Sequence, residues 1–119
     1  MTGLVRLALH ELDALPFEAG APAPERLVRG DPRHRTWRLD ESADGKTFAG
    51  VWESTPGAWR VAYDEWEFCT ILSGVSVVAP DGGEAVTLTS GDSFVIRPGF
   101  AGVWDVVETT RKSFVIRLP

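Results

Sequence analysis

From residue 35 onward the hydrophobic and polar positions alternate. Trp59, Val61 and Tyr63 fall on one side of an extended backbone, and Arg60 and Asp64 on the other. That is the period-two pattern of a half-buried strand. Val86 and Leu88, Phe94 and Ile96, and Phe114, Ile116 and Leu118 repeat it. Strand-like runs are predicted at 35–40, 47–53, 58–64, 66–72, 75–79, 85–89, 93–97, 103–107 and 113–118. They are rich in Val, Ile, Thr, Phe and Trp, which suit a pleated surface. Turn chemistry separates them: Asp44-Gly45, Asp81-Gly82-Gly83, Ser90-Gly91-Asp92 and Pro98-Gly99, where glycine supplies positive φ. No apolar stripe of helical period and length interrupts the series. The run 66–72 is apolar on both faces apart from Glu67 and Thr70, which predicts a strand covered on both sides.

The first third differs. Residues 19–34 carry several prolines and glycines and little periodicity, so they read as a loop or an arm. Leu4, Leu7, Leu9, Leu12 and Leu15 fit either a short strand or one helical turn. The predicted organisation is an N-terminal arm, 1–34, and one all-β domain, 35–119. Many short, evenly spaced strands point to a jelly roll or small closed barrel, which limits exposed edges. A chain of 119 residues holds one core and needs no disulfide or structural metal to do so; Cys69 is the single cysteine.

Composition narrows the partners. The net charge of −5 disfavours nucleic acid and anionic membranes, which reward a basic surface. Arg26, Arg29, Arg33, Arg35 and Arg38 cluster in sequence but read as a solvated segment balanced by acids elsewhere. No run of about 20 apolar residues and no leader-peptide pattern is evident. A soluble, cytoplasmic protein is expected.

Two stretches resemble the paired motifs of the cupin superfamily. Glu67 and Gly74 match the end of the first motif, and the run from Gly91-Asp92 to Pro98-Gly99-Phe100 resembles the second. Gly57-Ala58-Trp59-Arg60-Val61, Glu67-Phe68-Cys69, Pro98-Gly99-Phe100-Ala101-Gly102-Val103-Trp104 and Arg111-Lys112 are similar to the cupin subfamily that includes (S)-ureidoglycine aminohydrolase. The resemblance implies a cupin-type jelly-roll β-barrel. It says less about activity.

The departures concern metal. Spaced from Glu67, the family histidines would fall at Val61 and Tyr63, or at Arg60 and Ala62; spaced from Gly99, the third would fall at Gly102. None is histidine. A catalytic metal needs about three converging ligands. Glu67 is the one family ligand position still holding a candidate ligand. An irregular site from Glu67, Glu65, Asp64, Cys69 and a folded-back His34 lacks ligand spacing, so no metal or other cofactor is assigned. His10 and His34 have no companions in sequence and are expected at the surface.

The resemblance implies a Glu67 carboxylate inside an apolar barrel, with Lys112 on the last strand as its candidate partner. A buried charge needs a partner or a shifted pKa. Glu67 and Lys112 are therefore the candidate catalytic or anchoring pair, with a purely structural ion pair as the alternative. Trp52, Trp59, Tyr63, Phe100 and Trp104 are candidate walls of a pocket for a planar ligand, against simple core packing. Cys69 is a candidate contact in the same pocket, although its apolar run also fits a small core residue. The leading expectation is a small-molecule-binding cupin domain without the usual histidine metal site. The alternatives are a metal-dependent enzyme resembling (S)-ureidoglycine aminohydrolase, acting on a small nitrogenous or carboxylate compound, and a non-catalytic interaction module. The sequence leaves open whether the protein is an enzyme. A homodimer is expected in each case, because an arm such as 1–35 can cover a partner's sheet edge.

Overall fold

A computed structural model describes residues 3–119; Met1 and Thr2, the start of the predicted arm, lie outside them. The strands are β1 (Glu18–Gly20), β2 (Leu27–Gly30), β3 (His34–Glu41), β4 (Thr47–Ser54), β5 (Gly57–Ala62), β6 (Trp66–Pro80), β7 (Val86–Thr89), β8 (Ser93–Ile96) and β9 (Ala101–Arg117). The only helical pieces among the described residues are single 3-10 turns at Leu12–Ala14 and Pro24–Arg26. No helix among them is long and apolar enough to cross a membrane.

Two long strands organise the barrel. The C-terminal half of β9 pairs with β4, from Ser54↔Thr110 to Thr47↔Arg117. Its N-terminal half pairs with β5, from Gly57↔Val106 to Ala62↔Ala101. On its other edge β9 runs antiparallel to β6. β6 divides in the same way, its first half pairing with β8 and its second with β7. One sheet therefore curls into two facing layers, a cupin-type jelly roll. The bend lies where β6 changes partner. The ladder slips at Ile71/Ser73, Ser73/Val75 and Val75/Ser76, and extra residues of this kind increase local twist. Gly74 takes φ +92° there, and a Cβ on it would run into the Thr109 carbonyl, so no other residue fits without a shift.

This joins runs that sequence pattern separates. The predicted strands 66–72 and 75–79 are one strand, and 103–107 and 113–118 are another. The two faces of 66–72 also resolve. Glu67, Cys69 and Ile71 are buried and Phe68 is exposed. Leu72 packs against an outer cluster of Leu12, Trp37 and Val51.

The N-terminal third is built onto the barrel. β1 pairs with β3 at one edge of the sheet, and β2 pairs with β5 at the other. The Pro- and Gly-rich stretch read as a loop thus supplies two edge strands, and the arm expected to cover a partner covers this chain's own edges. Leu12 is 1% exposed beneath the turn at Leu12–Ala14. Burying such a side chain contributes about 2 kcal/mol. Arg111 and Arg35 fasten the clasp. Both bind Glu53, at 2.8 Å each, and both reach Asp13. Their guanidinium groups lie 5.1 and 4.9 Å from the Trp37 ring centre, within cation–π range.

Candidate functional site

The barrel interior holds a cavity of about 230 Å³, enclosed by inward-facing positions of β3, β4, β5, β6 and β9. Alternation decides which side chains reach it. On β9 Lys112, Phe114 and Ile116 face inward; on β4 Phe48 and Trp52 do; Thr36 and His34 do so on β3. Trp59, Tyr63, Glu67 and Trp104 complete the wall.

Lys112 Nζ lies 3.0 Å from Glu67 Oε2, and both side chains are almost fully buried. The two residues are not cross-strand partners. On the β6–β9 ladder Glu67 stands opposite Ile116, Cys69 opposite Phe114 and Ile71 opposite Lys112. The ion pair crosses the Cys69–Phe114 rung diagonally, which only long side chains can do. The Cys69 thiol beneath it donates to Glu67 Oε2 at 3.1 Å. The Lys112 ammonium also sits 4.9 Å from the centre of the Trp52 ring and 4.5 Å from that of Trp104. The indole cage is thus filled from within by the protein's own cation.

The electrostatics follow. Burial works against the Lys112 charge, but the attraction of Glu67 and smaller contributions from Cys69 and Tyr63 outweigh it, and the pKa is raised. Burial pushes the Cys69 thiol up to about 12, opposed by Lys112 and assisted by Glu67. It is a protonated donor, not a nucleophile. Burial also raises the Tyr63 phenol to about 12, so its hydroxyl stays protonated.

Trp52, Trp59, Tyr63 and Trp104 line the cavity with Glu67 and Lys112. Trp52 is 6.0 Å from Trp59 and 5.8 Å from Trp104 between ring centres, the pairs inclined rather than stacked. Trp104 is anchored through Nε1, which donates to Ser76 Oγ at 3.1 Å. Phe100 does not line this cavity. It packs on Tyr63 and borders a separate apolar pocket with Leu88 and Ile96. Cys69 supports the site from below without forming its wall.

His34, expected at the surface, is a wall residue. It opens β3 opposite Ser54 and packs 5.2 Å from Trp52 and 4.8 Å from Trp59. Burial and the nearby Lys112 charge lower its pKa to about 4, so the ring is neutral at pH 7. Its Nε2 is buried and has no hydrogen-bond partner. The alternation of β3 was the available signal, but the predicted strand began one residue too late.

The cupin fold implies a metal, and the residues present do not fit one. Tyr63 is in the wall but is a protonated phenol, and Val61 is apolar. A Cβ on Gly102 would run into the Ala79 carbonyl, so a histidine there would force the strands apart. Glu67 is already bound by Lys112. Among the described residues no three His, Cys, Asp or Glu side chains converge as a metal would require.

Comparison with known proteins agrees with the fold. The profile of the EutQ-like cupin domain matches residues 41–114. A Pseudomonas syringae pv. tomato protein of unknown function superposes with a TM-score of 0.78 at 22% identity, over 86% of this chain and 44% of that one. The chain thus spans less than half that relative's length. The Clostridium difficile EutQ protein gives 0.64 at 18% identity, over 83% and 80%. Ectoine synthase from P. lautus gives 0.65 at 18% identity, over 72% and 64%. No curated protein matches significantly. With the profile covering more than half its length on a barrel of this topology, the chain belongs to the EutQ-like cupin domain family.

Proposed function

We propose that this cupin domain binds a small molecule in the cavity beside Glu67 and Lys112, with the Lys112 ammonium as the site's cation in place of a metal. The observation that carries the reading is an almost fully buried ion pair next to open volume. A core that served packing alone would be filled, because interiors are close-packed. Hydrophobic replacements of a buried pair are often as stable or more so. An ion pair at the wall of an aromatic cavity instead supplies fixed charges that can orient a ligand. The volume, below the roughly 300 Å³ where pockets for drug-sized ligands begin, suits a molecule of about one ring.

Whether chemistry follows binding depends on that molecule. Lys112 and Tyr63 offer protons, and Glu67 offers an acceptor. The resemblance to (S)-ureidoglycine aminohydrolase remains compatible with a small nitrogenous ligand. A homodimer belongs to the same reading, resting on the exposed outer-face pair of Phe68 and Val95; a monodisperse monomer in light scattering at high concentration would remove it.

The test uses the indoles as reporters. A fragment screen followed by tryptophan fluorescence and NMR is expected to give ligands that shift Trp52, Trp59 or Trp104, and to lose them in Lys112→Met. Failure of every fragment to perturb these indoles would overturn the reading. Elemental analysis of protein purified without added metal is a second check. Near-stoichiometric transition metal surviving dialysis would replace Lys112 as the organising cation.

A further inference from the structure

A second pocket lies inside the barrel, away from the ion pair. It is a space of about 150 Å³ walled by Val78, Leu88, Phe94, Ile96, Phe100 and Trp104. Trp104 is the one residue it shares with the Lys112 chamber, so the indole is the partition between them. Val78, Leu88, Ile96 and Trp104 are all buried members of the barrel core. The pocket is therefore a gap in the core, not a hollow on the outer face. Val86 also borders it and is 50% exposed, so the gap reaches the surface. Close-packed interiors hold few voids larger than a water molecule.

The side chains around this pocket leave a polar guest nothing to bind. All are apolar except for the N–H of Trp104, and that N–H is already spent. Nε1 donates to Ser76 Oγ at 3.1 Å. Further along, the Thr110 hydroxyl donates to the Glu108 carbonyl at 2.9 Å. A hydroxyl has one proton, so Ser76 is the donor in its 2.7 Å contact with Thr110. Every proton of this chain runs in one direction, and Trp104, Ser76 and Thr110 are all buried. Turning the indole N–H toward the pocket would break a buried hydrogen bond. Water suits such a space poorly, since it needs two to four polar partners. An apolar cavity of about 150 Å³ stays dry and takes benzene.

We propose that this pocket is a second binding site, for a small uncharged hydrocarbon ring. It stands whether or not the Lys112 chamber binds a ligand, because it draws on none of that chamber's charges.

Benzene and pyrazine test it. The two have the same shape, but pyrazine carries an acceptor nitrogen at each end, so one enters whichever way it turns. Titrated into the full chain and followed by methyl and aromatic NMR, benzene is expected to shift Val78, Leu88 and Ile96. Pyrazine should bind about tenfold more weakly, the size of one unmade hydrogen bond. Leu88→Phe fills the pocket and should abolish the benzene shifts at Val78 and Ile96. Val78→Phe fills it from the neighbouring strand and serves where the first variant does not fold. The comparison of the two probes on the wild-type protein needs neither variant. Equal binding of benzene and pyrazine would overturn the site. So would benzene shifts confined to Phe48 and Ile116 in the Lys112 chamber, or no shift up to the solubility of benzene in water. Unchanged benzene binding in a folded, filled variant would overturn it too.

Discussion

Arg111 and Lys112 are neighbours on β9, and they put the same kind of charge into two different settings. Arg111 faces outward. It is part exposed, binds Glu53 at 2.8 Å and reaches Asp13 on the N-terminal segment. Arg35 binds the same Glu53, so the outer network keeps one arginine if it loses the other. Lys112 faces inward, its side chain about 6% exposed, with Glu67 as its one carboxylate partner. The outer network is partly exposed, so water screens it more than the inner pair, and two arginines share its one mostly buried carboxylate, Glu53. The inner pair has no such screening and no substitute. One residue step along a strand thus separates a partly exposed clasp from a buried ion pair at a cavity wall.

Breaking the inner pair should give the largest effect. Glu67→Leu leaves the Lys112 ammonium buried and alone, and an expected loss of about 3–5 kcal/mol follows, measured by urea unfolding. Glu67→Leu combined with Lys112→Met removes both charges at similar volume. It should recover most of that loss, and a double-mutant cycle gives the coupling. Additive losses would show that the two charges do not depend on one another.

His34 sharpens the comparison by pH. Its pKa is about 4 in the folded protein against 6.5 unperturbed. Between these values the unfolded chain binds more protons than the folded one, so stability should fall as pH drops from about 6.5 to about 4. Acidic residues held below their usual range, such as Glu53, lose stability over the lower part of the same window. The diagnostic quantity is therefore the difference between wild type and His34→Gln, which should flatten the upper part of the curve. Parallel curves for the two proteins would remove the assignment.

The smallest change is expected outside. Arg111→Ala should cost about 1 kcal/mol or less, because Arg35 still holds Glu53, and 1 M salt should reduce the cost further. A loss as large as that of Glu67→Leu would mean that the clasp, not the chamber, holds the barrel together.

Much of the barrel was legible because strand formation is governed locally. Alternation placed Trp59, Val86, Leu88, Phe94 and Ile96 in strands, and the Asp-Gly turns bounded them. The continuity of β6 and β9 was not legible. At Gly74 the ladder slips, and at Val107 to Thr109 three consecutive residues of β9 are exposed, so the period-two signal lapses while the backbone runs on. The edge strands β1 and β2 were missed for a related reason. They are short and exposed on both faces, so no side-chain pattern marks them, and only pairing with β3 and β5 makes them strands.

By itself the sequence determined an all-β domain with Glu67, Lys112, Cys69 and five aromatic residues as candidates, because local alternation and motif spacing are written in neighbouring residues. Tertiary structure decided the rest. It set the diagonal reach of Lys112 across the Cys69–Phe114 rung, the exclusion of Phe100 from the chamber, and the turning of His34 from an expected surface position into the wall. Each depends on strand register and on how the sheet closes. Those are relations between residues far apart in the chain, which a linear pattern does not carry.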